Sequence, residues 1–222
     1  MKKILPGLII VVLALALAGC ATLRGQAEPP PTRSEARASE REDGGTLRAA
    51  SASAFASERE ARKPLKLPLV NPKIVVSKSG RRLDLYEGER LARTYRIGLG
   101  FNPVDDKTRE GDGATPEGSF YIFTKNRQSA FHLSLGVSYP NAEDAARGLR
   151  DRLISKKQYL QILRAVAAKR TPPQYTSLGG LIYIHGGGAS RDWTWGCIAL
   201  ENEDIQELFD AVPTGTPIRI EH

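Results

Sequence analysis

The sequence of 222 residues is poor in the side chains that form disulfides and metal sites, with two cysteines and three histidines. Cys20 and Cys197 could form at most one disulfide, so a framework of several disulfides is excluded. A structural zinc site needs four ligands, usually in close pairs, and His132, His185 and His222 offer no such spacing. We therefore expect neither a bound metal nor another cofactor.

Long apolar runs are also scarce, and the clearest lies near the N-terminus, from Ile4 to Ala18. Two lysines precede it and Leu17-Ala18-Gly19-Cys20 closes it, which is the arrangement of a signal peptide over residues 1–19. The closing tetrapeptide resembles the signal of bacterial lipoproteins, which implies that Cys20 becomes the lipidated first residue of the mature chain. An uncleaved signal anchor is the alternative.

The lipoprotein resemblance also implies a location. A lipid on Cys20 would anchor the protein to a membrane, with the domain in the periplasm. Ala21 stands where an aspartate favours retention on the inner membrane of Gram-negative bacteria, so we expect the outer membrane. Residues 20–68 are rich in Ala, Ser, Arg, Glu and Pro and have few large apolar side chains, so we expect a disordered tether there.

A concentrated positive charge is missing as well. The net charge is +7, but the basic residues are spread over signal, tether and domain. No basic stripe is interleaved with aromatic side chains, as a nucleic-acid interface would require. We therefore expect no nucleic-acid partner.

What remains, residues 69–222, has the size of one domain with a single core. Several short runs alternate apolar and polar side chains with the period of a half-buried strand. The predicted strands are Lys73–Ser77, Arg82–Tyr86, Leu91–Leu99, Ser119–Phe123, Gly180–His185, Thr194–Leu200 and Ile218–Ile220. No strand–helix–strand rhythm points to a doubly wound parallel sheet, so we predict a mainly β fold.

Two regions of the domain have helical character instead. Residues 140–178 are predicted as a helical insertion, in which Asn141 caps one helix and Ser155 begins a second. The insertion either forms a wall of a cleft or only packs on the sheet. A last helix runs from Asn202 to about Ala211, before the final strand, and its acidic first turn suits the helix dipole. The apolar positions at helical spacing in the second helix are Tyr159, Leu160, Leu163, Val166 and Ala167.

Cys197 is the cysteine of this domain, and His185 precedes it across a glycine-rich loop. An imidazole that takes the thiol proton makes the sulfur a nucleophile for acyl carbons, and the imidazolium so formed lowers the pKa of the thiol. We expect Cys197 to be such a nucleophile with a depressed pKa and His185 to be its base. Gly196 allows close approach of the scissile group, and backbone N–H groups nearby would hold the oxyanion. Simple burial of an inert cysteine is the alternative.

Two motifs of the domain resemble the L,D-transpeptidase (YkuD-type) catalytic domain. One is a glycine-rich segment that continues as Thr-Pro-x-Gly-x-Phe, here from Gly113 to Phe120. The resemblance runs from about Lys73 to Ile220 and implies a β-sandwich with a helical insertion and a C-terminal helix before the last strand. The other motif joins His-Gly to Ser/Thr-x-Gly-Cys and to an Asn five places after the Cys, here at His185, Gly186, Thr194, Gly196, Cys197 and Asn202.

This resemblance implies acyl transfer on peptidoglycan stem peptides. Cys197 would attack the carbonyl at the L-centre of the third stem residue, and the carbonyl of Gly186 would orient His185. Thr194 would orient the catalytic loop, unless it is only a strand residue, and Asn202 would hold the turn after the strand of the nucleophile or cap its helix. Transfer to an amine would be L,D-transpeptidation. The alternatives are transfer to water, by an amidase or carboxypeptidase, and a murein-binding lipoprotein without turnover.

Two positions depart from the commonest form of the motif, which has histidine before Gly-Cys and arginine two places after the cysteine. This chain has Trp195 and Ala199 there, and Trp195 would support the site with an apolar face. The pattern Asp192-Trp193-Thr194-x-Gly-Cys-Ile-Ala-Leu, together with Ser138-Tyr139-Pro140-Asn141, resembles a Gram-negative branch that includes a hydrolase releasing a lipoprotein from murein. A murein-linked lipoprotein is therefore a further candidate partner.

Overall fold

The computed structural model describes residues 63–222 of the chain. The predicted signal peptide, Cys20 and most of the predicted tether lie outside these residues and stay predictions. The last part of that tether, residues 63–68, lies against the domain: Leu65 packs on the core, and the carbonyl of Lys63 accepts a hydrogen bond from Arg93 at 2.7 Å. Every helix between residues 63 and 222 is too short or too polar to span a bilayer.

Eight strands form one curled sheet with few helices, which confirms the predicted mainly β fold. The order across the sheet is β3-β2-β1-β8-β4-β5-β6-β7. The predicted antiparallel meander is β1 to β3, and β8 runs parallel to β1. The strands are β1 (Pro72–Ser77), β2 (Arg82–Glu87), β3 (Arg90–Arg96), β4 (Gly118–Ser129), β5 (His132–Val137), β6 (Tyr183–His185), β7 (Ile198–Ala199) and β8 (Pro217–Glu221).

The curl of the sheet depends on the long strand β4 and on a closing contact at the opposite side. The first residues of β4 pair with β8 and the later ones with β5, so β4 belongs to both halves of the sheet. Beyond β3, Gly98 pairs with Ala199 of β7 through two hydrogen bonds of 2.9 and 2.8 Å. The chain that follows β3 therefore lies beside the segment that contains Cys197.

Period-two patterning places the core inside this curl. Ile218 and Ile220 of β8 are buried, whereas Arg219 between them is exposed. Ile74 and Val76 of the neighbouring β1 are buried in the same way. Each such side chain stabilises the fold by about 1.5–3 kcal/mol through burial.

The helices are α1 (Ala142–Arg150), α2 (Lys156–Ala167) and α3 (Asn202–Ala211). Asn141 and Ser155 cap α1 and α2 as predicted, and each forms a capping box with the third residue of its helix. The two helices contact each other and form the predicted insertion. In α2 the buried positions are Ile162 and Ala165, whereas Leu160 is exposed, so the predicted apolar face was partly wrong.

The strands beside the predicted site are shorter than the sequence predicts. β6 has three residues and β7 has two. Leu181 has φ +54° and Gly196 has φ +116°, and these left-handed conformations interrupt the extended chain before each strand. The irregular turn before β7 carries Cys197.

Candidate active site

His185 ends β6, and Cys197 lies immediately before β7, the parallel neighbour of β6. Ile184 of β6 pairs with Ile198 of β7, and His185 pairs with Ala199. Because side chains alternate between the two faces of a sheet, Tyr183 and His185 share a face with the position of Cys197. The two Cα atoms are diagonal neighbours, roughly 8 Å apart from standard strand spacings. The register thus places the segments that carry the predicted nucleophile and the predicted base side by side.

The imidazole of His185 is buried and held in one orientation. Its Nδ1 lies 2.6 Å from the carbonyl oxygen of Gly186. A carbonyl can only accept a hydrogen bond, so Nδ1 carries the proton and Nε2 is free to act as a base. Phe131 stacks on the ring at 4.6 Å and Trp193 meets it edge-on at 5.6 Å. Burial lowers the pKa of His185, and the bond to Gly186 offsets part of this effect.

The sulfur of Cys197 lies against the chain that enters β6. It accepts a hydrogen bond from the backbone N–H of Tyr183 at 3.4 Å and lies 3.5 Å from the carbonyl oxygen of Leu181. Burial raises the pKa of this thiol, while the hydrogen bond from Tyr183 and the charge of Lys107 lower it in part. The expected depressed pKa of Cys197 is therefore not found in this structure, because the cost of burying a charged sulfur outweighs the effects of Tyr183 and Lys107.

Thr194 holds the turn that carries the cysteine. Its buried hydroxyl accepts a hydrogen bond from the N–H of Gly196 at 3.1 Å and donates one to the carbonyl of Cys197 at 2.7 Å. A Cβ on Gly196 would lie 2.5 Å from the carbonyl oxygen of Ala114, so only glycine fits there. The N–H of Gly196 is engaged by Thr194, which leaves the N–H of Cys197 as the better oxyanion donor.

Asn202 and Glu201 hold the glycine-rich loop after His185. Asn202 is the first residue of α3, and its side-chain oxygen accepts from the N–H of Gly187 at 3.0 Å. Glu201 occupies the N-cap position and accepts from the N–H of Ala189 at 2.9 Å. The sequence suggested that Asn202 holds the turn after the strand of the nucleophile or caps its helix, whereas its side chain fixes the loop after His185 and Glu201 stands at the N-cap.

The YkuD family, whose sequence model represents the L,D-transpeptidase catalytic domain, matches residues 71–220. The chain belongs to this family. A Bacillus licheniformis protein with the provisional name L,D-transpeptidase YkuD is 31% identical over 148 residues, which are 67% of this chain and 64% of that protein.

Solved structures similar to this chain include two bacterial proteins. The K307A mutant of the helical cell shape determining protein Pgp2 from Campylobacter jejuni has 22% identity and a TM-score of 0.48, over 76% of this chain and 53% of its own. L,D-transpeptidase 1 of Mycobacterium tuberculosis has 18% identity and a TM-score of 0.39, over 68% and 62% of the two chains. This chain thus spans less than two thirds of the length of these three relatives.

The two departures from the common YkuD-family motif lie in different surroundings. Trp195 is 71% exposed and meets the ring of Phe101 edge-on at 5.2 Å. Its side chain projects outward instead of joining the frame that holds Cys197. Ala199 is fully buried in β7 and brings no charge to the site.

Sequence reasoning missed several residues that surround the site. Phe131 and Trp193 clamp the imidazole, Glu201 fixes the loop, and the buried Lys107 acts electrostatically on the thiol. Trp193 and Glu201 lie between or next to the residues of the motif, so their positions in the sequence could have identified them as site residues. Phe131 and Lys107 lie far from the motif in the sequence, and no sequence pattern links them to it. In residues 63–222 no cluster of three or more His, Cys, Asp or Glu side chains is arranged to bind a metal ion.

Proposed function

We propose that this protein is a cysteine acyltransferase of peptidoglycan, in which Cys197 attacks the L-centre carbonyl of a stem tetrapeptide. The observation that carries the proposal is the pairing of β6 with β7. This pairing brings the sulfur to the backbone N–H of Tyr183, two residues before His185, whose Nδ1 is fixed by Gly186 and whose Nε2 is available as a base. The family membership supports peptidoglycan as the substrate.

The proposed reaction begins with a neutral thiol and a neutral imidazole, because burial disfavours the charge on each. Rotation of the Cys197 side chain toward His185 lets the sulfur attack as its proton passes to Nε2. The N–H of Cys197 holds the oxyanion. The bond to the terminal D-alanine then breaks, the leaving nitrogen takes the proton from His185, and a thioester remains.

The second half of the proposed reaction releases the enzyme. An acceptor amine gives a proton to His185 and attacks the thioester, so that a new amide forms and the Cys197 thiol is regenerated. This outcome is L,D-transpeptidation. With water as the acceptor the same steps yield a carboxylate, and the enzyme is a carboxypeptidase or an amidase. An amide that joins a lipoprotein to murein is a candidate substrate for that variant.

Incubation with purified disaccharide tetrapeptides tests the proposal. Cross-linked dimers indicate transfer to an amine, and tripeptides indicate transfer to water. Cys197→Ala should abolish both products and also the mass increase expected after treatment with a carbapenem. Circular dichroism should show that this variant stays folded. Turnover retained by Cys197→Ala would end the proposal.

A protein that only binds murein is the competing function. It requires a thiol that does not react with acyl groups, although the wild-type protein would still bind purified sacculi. Sacculus binding without any product and without carbapenem labelling would favour this second function. Turnover by the wild-type protein would exclude it.

We also propose that Cys20 is lipidated and that the domain faces the periplasm from the outer membrane. The N-terminal run and the Leu-Ala-Gly-Cys tetrapeptide support this location. Labelled palmitate should be incorporated by the wild-type chain and not by Cys20→Ser. Sucrose-gradient fractionation of a Gram-negative host should recover the wild-type protein with outer-membrane markers. Recovery with inner-membrane markers would contradict the location.

A further inference from the structure

Lys107 is a buried lysine close to the site, and none of the reaction steps above uses it. Its side chain is 3% exposed, and its ammonium donates to the carboxylate of Asp112 at 2.8 Å and to the carbonyl of Arg109 at 3.0 Å. A buried ion pair is costly to form and is not by itself a source of stability. The position of this charge therefore calls for a functional explanation.

The loop that carries Lys107 touches the chain on both sides of the sulfur. A Cβ on Gly179 would lie 3.1 Å from Cε and 3.4 Å from Nζ of Lys107, so the lysine packs on the chain just before Leu181. The carbonyl of Leu181 is in turn a neighbour of the Cys197 sulfur, at 3.5 Å. On the other side, the carbonyl of Ala114 packs against Gly196.

Asp112 keeps the loop and the lysine in place. Besides the bond from Lys107, its carboxylate accepts hydrogen bonds from the backbone N–H groups of Thr108, Arg109 and Ala114 at 2.8, 2.9 and 3.1 Å. These bonds and the ion pair lower the pKa of Asp112 although burial opposes them. The ammonium is thus fixed in position.

The charged and titratable groups around Lys107 and Cys197 come from several elements. Tyr139 presents its ring at 5.9 Å from the ammonium, and Arg147, paired with Asp106 and with the buried Asp144, donates to the carbonyl of Lys107 at 2.7 Å. Burial raises the pKa of Asp144 to about 7. On the side of Cys197 the titratable groups are Tyr183, with Tyr175 near it, and His185 on the same face of β6. The positive charge of Lys107 lowers the pKa of the Cys197 thiol against the effect of burial.

We propose that Lys107 is a positioning residue that stabilises the thiolate of Cys197 during acyl transfer. The ammonium favours negative charge on sulfur at the moment when the thiol proton passes to Nε2 of His185. Ala199, two places after the nucleophile, supplies no charge, so the cation comes from the loop after β3 instead. The role of Lys107 in turnover rests on the proposed function, but its effect on the thiol does not.

The test compares Lys107→Met with Lys78→Met in chains that also carry Cys20→Ser, so that Cys197 is the sole thiol. Lys78 is a matched control, because it too is fully buried, pairs with a carboxylate, that of Glu117, at 2.8 Å, and donates to a backbone carbonyl. Both variants lose a buried pair. The thiol pKa is read from the pH dependence of iodoacetamide alkylation, followed by mass spectrometry.

Lys107→Met should raise the thiol pKa by about half a unit to one unit, which slows alkylation below that pKa about three- to tenfold. Lys78→Met should keep the wild-type pH profile, and Lys107→Arg should restore most of the reactivity. A wild-type profile for Lys107→Met, or an equal shift in Lys78→Met, would overturn the proposal.

Asp112→Asn keeps the proposal testable if Lys107→Met does not fold. This variant removes the counter-charge and leaves the ammonium, so an electrostatic role predicts a thiol pKa at or below the wild-type value. A purely structural role of the pair predicts a change like that of Lys107→Met, and a raised pKa in Asp112→Asn would refute the electrostatic role. Alkylation of Cys197 needs no murein, so the two proposals are tested separately. An unchanged thiol pKa in Lys107→Met would refute the role of Lys107 without refuting acyl transfer. Absence of turnover on murein would refute acyl transfer without refuting the effect of Lys107 on the thiol.

Discussion

Replacing Thr194 by valine should release the turn that carries Cys197. Valine has nearly the shape of threonine but cannot bond to the N–H of Gly196 or to the carbonyl of Cys197, which Thr194 contacts at 3.1 and 2.7 Å. A buried polar group without a partner costs about 1–3 kcal/mol. Two such groups should lower the free energy of unfolding by about 2–6 kcal/mol, or roughly 4–24 °C in Tm.

Thr194→Ser is the matched control for this prediction. Serine keeps both hydrogen bonds and loses one buried methyl group, which is worth about 1 kcal/mol. Urea unfolding measures the difference between the two variants. The rate of carbapenem acylation should also fall about a hundredfold in Thr194→Val, since small misplacements of a nucleophile have effects of that size. If both variants were equally stable and equally reactive, the hydroxyl would not be what holds the turn.

Three further changes probe the rest of the site. Gly186→Ala should abolish acylation, because its Cβ would lie 2.5 Å from Oδ1 of Asn202, and labelling by a carbapenem measures the loss. Asn202→Ala frees the N–H of Gly187 and should slow acylation about tenfold with about 1 kcal/mol of destabilisation, whereas Asn202→Asp should retain most activity. In the pH profile of kcat/KM, the acid limb should have its midpoint below about 6.5, because burial lowers the pKa of His185 and the neutral base persists into mildly acidic solution. A midpoint above that value would contradict the buried, neutral imidazole.

Local chemistry explains which features could be predicted from the sequence. Asn141 and Ser155 mark their helices because a capping box is complete within four residues. The meander of β1 to β3 follows from alternation and short turns. His185 and Cys197 could be paired because the motif itself encodes two neighbouring strands. Each of these signals lies within a short stretch of chain.

The remaining features depend on contacts between distant parts of the chain. The parallel pairing of β1 with β8 and the shared strand β4 follow from the way the whole sheet curls. Lys107 comes close to the chain before Leu181 only because its side chain packs on Gly179. The raised pKa of Cys197 is also a tertiary effect, since burial of the sulfur outweighs the charge and the hydrogen bond that favour the thiolate. The direction of this pKa shift therefore could not be predicted from the residues next to Cys197 in the sequence.

The frame of the site also explains how this chain tolerates its departure at Trp195. The turn before β7 is held by the hydroxyl of Thr194 and by backbone groups, and the close approach of Ala114 restricts Gly196. The side chain at position 195 takes part in none of these contacts and is largely exposed. Its identity is therefore free to change without moving Cys197. The constraint on this segment falls instead on Thr194 and Gly196, whose bonds and lack of a Cβ set the position of the sulfur.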